Sequence, residues 1–457
     1  MPKRRSGAAG GTRELGPIER QTPTAWGEPD GTETAISMEK ALRKDNVVEA
    51  HRRVVRNGGS PGVDDMSVDE LMTYCREHWP RIREELLNGR YMPTPVLKVE
   101  IDKLDGGGKR TLGIPCVLDR MIQQALLQVL QPVIDPTFSD SSFGFRPGRS
   151  AHQAVLQAQS YVKAGYDWVV DLDLEKFFDR VNHDVLMARV ARRVKDKPML
   201  LLIRRFLQAG MFEGGLISPR KEGTPQGGPL SPLLSNILLD ELDKELEARG
   251  HRFVRYADDC NVYVQSQRAG ERVMQSLEHF LGKRLRLRIN HKKSAVARPY
   301  ERSFLGYSLT RGRLPDRLRV APKSVRRLKD RLRKEFRKGR GRKLASTCDT
   351  LARTTRGWVA YFKLAETPSN FDVLDKWLRH RLRCILWRQW KNPRTRFRHL
   401  RNAGVEPRLA AGLAWSGRGT WPIAATSAVN RAIPNAMLQA HGFQSLLQEY
   451  QRLRRSI

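Results

Sequence analysis

The stretch Phe253-Val254-Arg255-Tyr256-Ala257-Asp258-Asp259-Cys260-Asn261-Val262-Tyr263-Val264 constrains this chain more than any other. Two runs rich in β-branched and aromatic residues flank a pair of adjacent carboxylates, the pattern of a hairpin with Asp-Asp at its tip. Like charges side by side against apolar strands repel and lose hydration, so they call for a cation. Where every ligand is oxygen, that cation is a hard one such as Mg²⁺. An arbitrary Asp-Asp is more often a solvated turn, but these flanks are apolar and set the acids against a core.

A third carboxylate lies upstream. In Trp168-Val169-Val170-Asp171-Leu172-Asp173-Leu174 the strand period puts Val169, Asp171 and Asp173 on one face and Val170, Leu172 and Leu174 on the other. An acid inside such a strand is costly unless paired or metal-bound. One acid from this strand and two from the hairpin make the set that a two-metal phosphoryl transfer uses. One cation activates a 3′-hydroxyl and the other clamps the triphosphate and leaving pyrophosphate. Either strand acid satisfies the pattern.

Such chemistry needs a polyanionic substrate, and the composition matches it. The 457 residues hold 83 Lys and Arg against 49 Asp and Glu, a net charge of +34. That excess is the footprint of nucleic acid, although charge alone does not separate an enzyme from a cationic binding protein. The length suits roughly two to four domains. Cys75, Cys116, Cys260, Cys348 and Cys384 are scattered with no Cys-x-x-Cys, which speaks against a zinc module or disulfide framework and fits a reducing cytosol. No apolar run is long enough for a membrane span, and the basic N-terminus lacks the apolar segment of a signal peptide.

Along the chain, residues 1–34 read as a disordered basic tail. A helical pattern runs from Ala35 to Arg56 and stops at Asn57-Gly58-Gly59-Ser60-Pro61-Gly62. Ser67-Val68-Asp69-Glu70 reads as a capping box opening a helix through Leu87. Val96 to Ile101 alternates as a strand, followed by a Gly-rich turn and Lys109 to Pro115, a hairpin whose basic tip suits phosphate or solvent equally. Asp119 to Leu130 reads as an amphipathic helix, and Ala151 to Lys163 as another. Between them, the arginines of Ser142–Arg149 either bind a phosphate or turn the chain. Gly223 to Pro232 leaves bare backbone around Gln226 for a base pair or sugar to approach, and opens a helix over Leu233 to Arg249. Beyond the hairpin come a helix over Glu271 to Leu287, a strand at Ala295 to Ala297 and a tight turn at Phe304-Leu305-Gly306-Tyr307. Strand, helices, hairpin, helix, strand is the order of a split βαβ unit. From Lys323 the composition turns basic, with a helix through Arg342, a second bearing Trp358, Tyr361 and Phe362, and a third bearing Trp377, Trp387 and Trp390. This suggests a bundle docking a nucleic-acid backbone, with most of the tryptophans serving as core. Arg326, Arg327, Arg333, Lys334, Arg337 and Lys338 crowd its first helix and are expected to contact RNA. A last helix is expected near Met437 to Arg455.

These ordered motifs resemble the group II intron-encoded reverse transcriptase/maturases of bacteria, over roughly residues 36 to 457. The resemblance implies an α+β fold: a right-hand polymerase with fingers and a split βαβ palm, then a helical thumb/maturase bundle and a small basic C-terminal region. The divisions it implies are a tail (1–34), an N-terminal helical extension (35–90), fingers and palm (91–310), thumb or domain X (311–395) and a basic nucleic-acid-binding region (396–457). The Leu112-Gly113-Ile114-Pro115 hairpin and the Phe143-Gly144-Phe145-Arg146-Pro147 loop resemble the fingers. Asp171-Leu172-Asp173-Leu174-Glu175-Lys176-Phe177-Phe178-Asp179 is similar to the first palm motif. Aligned so, Asp173 joins Asp258 and Asp259 as the catalytic, metal-holding acids, Leu174 lends a carbonyl to a metal, and Phe178 excludes a ribose 2′-hydroxyl. The resemblance also places Lys103 and Arg110 over the incoming triphosphate and Pro225 and Gln226 in the nucleotide pocket. Lys293 matches the palm lysine, and Leu305 and Gly306 form the primer grip.

Gly357-Trp358-Val359-Ala360-Tyr361-Phe362 resembles domain X, the region that binds intron RNA. Two Mg²⁺ ions, deoxynucleoside triphosphates, group II intron RNA and target DNA are the implied cofactors and partners. No membrane is implied, a homodimer is left open, and the bacterial cytoplasm and nucleoid are the expected location. The His/Asn and cysteine-pair endonuclease module of some members does not occur before Ile457, so second-strand cleavage is not expected of these residues. Two other readings stay open. One is a reverse transcriptase domesticated for defence or CRISPR association, against which the domain X resemblance speaks. The other is a splicing-only maturase, against which three intact acids speak. Phe178 disfavours an RNA-copying RNA polymerase.

Overall fold

The computed structural model describes residues 36–102, 108–214, 216–218, 222–224, 227–312, 316–338 and 341–456. It opens with helices α1 (Met38–Ala41), α2 (Lys44–Asn57) and α3 (Leu71–Leu87). The helix expected to be continuous from Ala35 to Arg56 breaks at Leu42-Arg43, where Arg43 is extended. Asn46 stabilises the break by donating its amide to the carbonyls of Ala41 (2.7 Å) and Ala125 (3.0 Å). At α3 the Glu70 carboxylate accepts from the Ser67 N–H (2.8 Å) and Oγ (2.6 Å), so the box forms as a turn and the helix begins only at Leu71.

Strands β1 (Val96–Asp102) and β2 (Lys109–Ile114) pair antiparallel and lead into α4 (Val117–Ile134). The sequence suggests an amphipathic α4, but it is longer and buried nearly all round, polar Asp119, Gln123 and Gln124 included. Burial is tolerated because partners are found: Asp119 accepts from Tyr91 Oη (2.8 Å) and the Thr94 N–H (3.0 Å). Next come α5 (Ala151–Lys163), capped by a reciprocal Ser150/Gln153 box, and β3 (Trp168–Asp173). After these follow α6 (Phe177–Arg180), α7 (His183–Arg193), α8 (Lys197–Gln208), β4 (Met211–Glu213) and β5 (Leu216–Ser218). The long α9 (Ser231–Ala248) precedes the hairpin of β6 (Arg252–Tyr256) and β7 (Asp259–Val264). Helix α10 (Gln267–Phe280) ends in a π-turn over Leu281–Leu285, short of the expected Leu287, and β8 (Ala295–Ala297) follows. One sheet has the order β2-β1-β4-β5 and another β6-β7-β3-β8.

The second sheet separates two cores. Val170 and Leu172 of β3 and Val262 of β7 point into a core built with α4, α7, α8 and α9. Val169, Val254 and Tyr263 point the other way, into a core shared with the helices that follow. Between these halves run β9 (Tyr307–Leu309) and β10 (Leu318–Val320). The helical half comprises α11 (Pro322–Lys338), α12 (Leu344–Tyr361), α13 (Ser369–Gln389), α14 (Pro393–Asn402), α15 (Pro407–Ala414), α16 (Thr420–Ala424), α17 (Ser427–Ala432), α18 (Asn435–Ala440) and α19 (Leu446–Arg454). The single helix expected at Met437–Arg455 is thus two. Gly442 turns the chain at φ +88°, and Asp375 of α13 pins the restart by accepting from Ser445 Oγ (2.5 Å) and the Leu446 N–H (2.8 Å). Trp387 and Trp390 are core, and Trp358 and Trp377 pack against it. No described helix is long and apolar enough to cross a membrane.

Candidate active site

The hairpin tip is held from behind. Ala257 has φ +59°, the sign at a first loop residue found in type II′ hairpin turns, where glycine is usual. For alanine this costs on the order of 1 kcal/mol, so the surroundings must impose it. Arg255, fully buried, does so: Nη1 donates to the Ala257 carbonyl (2.9 Å) and to Asn236 Oδ1 (2.9 Å). Its Nε and Nη2 grip both oxygens of Asp243 at 2.7 and 2.5 Å. Gly144 closes the other side, since a Cβ there would stand 2.2 Å from the Ala257 nitrogen. The neighbouring Arg146 turns the chain. It is buried and donates to Asp135 Oδ1 (3.0 Å) and the Ser142 carbonyl (2.9 Å).

Register then brings the acids together. Asp173 of β3 lies directly opposite Asp259 of β7, with Asp258 at the turn beside them. Asp171, two residues back, pairs with Asn261. The two strand acids meet different fates. Arg302 Nε and Nη2 reach Asp171 Oδ2 at 2.7 and 2.6 Å, so that charge is already answered. Asp173 lies past the end of the β8 pairing and its side chain is 38% exposed. It accepts from Asn290 Nδ2 (3.1 Å) and from Lys293 Nζ (3.4 Å). Its backbone is fixed by the Asn290 N–H (2.9 Å) and by Ser294 Oγ. Leu174, buried beside it, bridges to Ile289.

Electrostatically, burial and mutual repulsion of the acids outweigh the nearby cations Lys293 and Arg302. Burial, then the charges of Asp171, Asp258 and Asp173, push the Asp259 carboxyl up to about 8. Burial chiefly raises Asp258 too. Carboxylates strained in this way, offering only oxygen, fit a hard divalent cation. Among the described residues, no three His, Cys, Asp or Glu side chains are already drawn together as a metal cage.

Phe178, five residues after Asp173 in the chain, is half-buried, its ring 5.1 Å from and edge-on to that of the buried Phe177. The chain before Pro225 is tied to it: the Thr224 N–H donates to the Phe178 carbonyl (2.6 Å) and the Gly223 N–H to that of Val181 (2.7 Å). On the far side, a Cβ on Gly227 would stand 2.7 Å from the Gly113 carbonyl of β2. Pro225 and Gln226 themselves, like Lys103, lie outside the described residues. Arg110 is exposed on β2, facing Ile101 of β1. Leu305 and Gly306 form a left-handed turn (φ +50° and +82°) closed by the Phe304–Tyr307 bridge. That turn is docked onto the helical half: Tyr361 Oη donates to the Leu305 carbonyl (2.8 Å) and Ser324 Oγ to that of Gly306 (3.0 Å).

The basic residues of α11 divide by face. Leu328, Leu332 and Phe336 are buried, while Arg326, Arg327, Arg333, Lys334 and Arg337 are exposed. Arg333 is engaged rather than free, donating to Asp330 (2.5 Å) with its guanidinium 5.9 Å from the Trp377 ring. Lys338 ends the helix, and its side chain lies outside the described part. The supporting residues Arg255, Asn290, Ser294 and Arg302 escape the sequence reading. Only Arg255 leaves a signal there, as a charge at an apolar strand position.

With this geometry in view, the chain is similar to known proteins in two successive segments. The family described as reverse transcriptase (RNA-dependent DNA polymerase) matches residues 101–309, and the group II intron, maturase-specific domain matches 325–404. Protein YkfC of Escherichia coli (strain K12) is 32% identical over 327 residues, 62% of this chain and 86% of that protein. The group II intron-encoded protein LtrA of Lactococcus lactis subsp. cremoris is 38% identical over 205 residues, 44% of this chain but only 34% of LtrA. A solved partial Cas6-RT-Cas1–Cas2 complex is 25% identical over 54% of this chain and 42% of its own, at a TM-score of 0.36, an overlap too poor to carry an argument.

Proposed function

Because this chain belongs to the group II intron reverse transcriptases with a maturase-specific domain, we propose that it copies RNA into DNA and binds group II intron RNA to assist its splicing and mobility. The observation that carries the first activity is the β3/β7 register, which sets Asp173 against Asp259 beside Asp258 at an open sheet end. In this reading β1, β2, β4 and β5 belong to the fingers, the β6-β7-β3-β8 sheet is the palm, α11–α13 are thumb and maturase bundle, and the later helices touch nucleic acid.

Asp173, Asp258, Asp259 and the Leu174 carbonyl would hold two Mg²⁺ ions, which when bound stabilise charge on the transferring phosphate and the attacking oxygen. The chain's own groups position the rest. Asn290 and Lys293 each take one oxygen of Asp173, fixing the rotamer in which it faces Asp259. Arg302 neutralises Asp171, which keeps a fourth charge from competing for the cations. Phe178 walls the sugar site, Pro225 and Gln226 sit under the base pair, Lys103 and Arg110 meet the triphosphate, and Leu305-Gly306 holds the primer. Deoxynucleoside triphosphates, target DNA and a homodimer belong to the same reading, as does action in the bacterial cytoplasm at the nucleoid.

The test is the double substitution Asp258→Asn with Asp259→Asn. It keeps side-chain volume, so the folded protein should lose Mg²⁺-dependent cDNA synthesis while still binding intron RNA and promoting splicing. Retained synthesis would remove these acids from the site. Lost splicing in a folded variant would tie the hairpin to the RNA surface.

A further inference from the structure

On the side of the molecule that uses cations rather than acids, a pocket of about 240 Å³ opens between α11, α13 and α16. Its polar wall is mostly guanidinium: Arg333 and Arg337 from α11, Arg381 and Arg388 from α13, with Trp421 of α16 at the edge. No carboxylate is among the described residues that line it; Asp330, which holds Arg333, stands outside. Arg381 is rigidly placed, its guanidinium 5.5 Å from the Trp377 ring and 4.6 Å from that of Trp421. Its Nε is buried without a hydrogen-bond partner. Arg388 is steadied by donating to Thr420 Oγ1 at 3.0 Å. Burial, and then the charges of Arg333, Arg388 and Arg337, oppose the positive charge of Arg381.

Arg337, Arg381 and Arg388 converge with no carboxylate lining the pocket beside them, which is unfavourable in the free protein, and an anion with several acceptor oxygens relieves it. Trp421, 45% exposed, adds an indole next to that anion position. A phosphodiester with an aromatic surface beside it is how proteins hold an unpaired nucleotide. We propose that this pocket takes one nucleotide of a single-stranded RNA segment, its phosphate among Arg337, Arg381 and Arg388 and its base against Trp421. This rests on the RNA-binding half of the function proposed above. It adds a discrete subsite, separate from the outer face of α11 that carries Arg326 and Lys334.

The experiment titrates the full chain and its variants with a short single-stranded RNA by fluorescence anisotropy across a salt series. For Arg388→Gln the log–log salt slope should fall by about 0.7, one phosphate contact on a single strand. Trp421→Ala should weaken binding about tenfold with the slope unchanged, since stacking is not ionic. Arg381→Gln should do both, because that side chain holds the phosphate and backs the indole. Lys334→Ala, outside the pocket, should lower the slope without touching the stacking component. If Arg388→Gln and Trp421→Ala both bind like wild type while Lys334→Ala loses slope, the pocket is overturned and the RNA-binding reading stands. A wild type that binds no single-stranded RNA overturns both. A loss confined to the matching DNA strand overturns the assignment to RNA.

Discussion

Asp259 and Arg381 are each an ionisable group crowded by its own sign of charge, one at the start of β7 and the other between two indoles of the helical half. Their supports differ. Around Asp259 the backbone itself is locked by strand register, by Arg255 under the tip and by Gly144 against it, and polar donors orient Asp173. Around Arg381 the support is aromatic and the long side chains stand on helix surfaces. The contrast follows from the partner. Small cations bound by oxygen need ligands placed to a fraction of an ångström. A phosphate on a pliable strand tolerates several arginine geometries and needs charge more than exact position.

The sharpest way to break this contrast is to remove the acids. Asp258→Asn with Asp259→Asn should cut primer extension by at least about 10²–10³-fold while leaving the salt slope of RNA binding alone. The same pair predicts a pH signature. The Asp259 carboxyl is raised from 3.8 to about 8, so the folded protein holds a proton that the unfolded chain releases between those values. Stability of metal-free wild type should therefore fall as pH rises through that window. Added Mg²⁺ should restore it, and the double variant should show neither effect in thermal unfolding at pH 6 and 8, values chosen as about the middle and top of the window. Arg302→Gln comes next. It leaves Asp171 unanswered beside the other acids, and primer extension or Mg²⁺ affinity should fall about 10–100-fold. Phe178→Ala should lower discrimination against ribonucleotides by about tenfold in mixed-pool extension, with RNA binding unaffected. The smallest effect belongs to Gly306→Ala. Its new Cβ would stand 3.0 Å from Ser324 Oγ at φ +82°, costing on the order of 1–3 kcal/mol in denaturant unfolding.

What the sequence discloses here depends on how far apart the interacting residues lie. Ala151–Lys163 and Ala295–Ala297 have the ends expected of them because their signals are local, such as Ser150 capping α5. The Asp-Asp hairpin is legible because acids in apolar strands are anomalous wherever they occur. Arg302 is illegible because its partner Asp171 is 131 positions away and nothing near either residue announces the pair. Helix α4 reads as amphipathic because Asp119, Gln123 and Gln124 look solvent-facing, and only tertiary contacts show that they are buried. The short helices α14–α18 carry too few residues for a period to emerge, and their stability comes from packing rather than from propensity.

The Leu305-Gly306 turn has a consequence for anyone exchanging parts between relatives. Its carbonyls are held by Tyr361 and Ser324, and Tyr307 and Leu309 are packed into the core of α11–α13. A chimera spliced at the loop before α11 would leave this turn facing foreign side chains on two helices. A splice upstream of Arg302 would keep those contacts native but part Asp171 from its counter-ion, two side chains that meet across the cut. The workable unit of exchange therefore begins at Ser303, after Arg302 and before the turn, where both sets of contacts stay with their own parent.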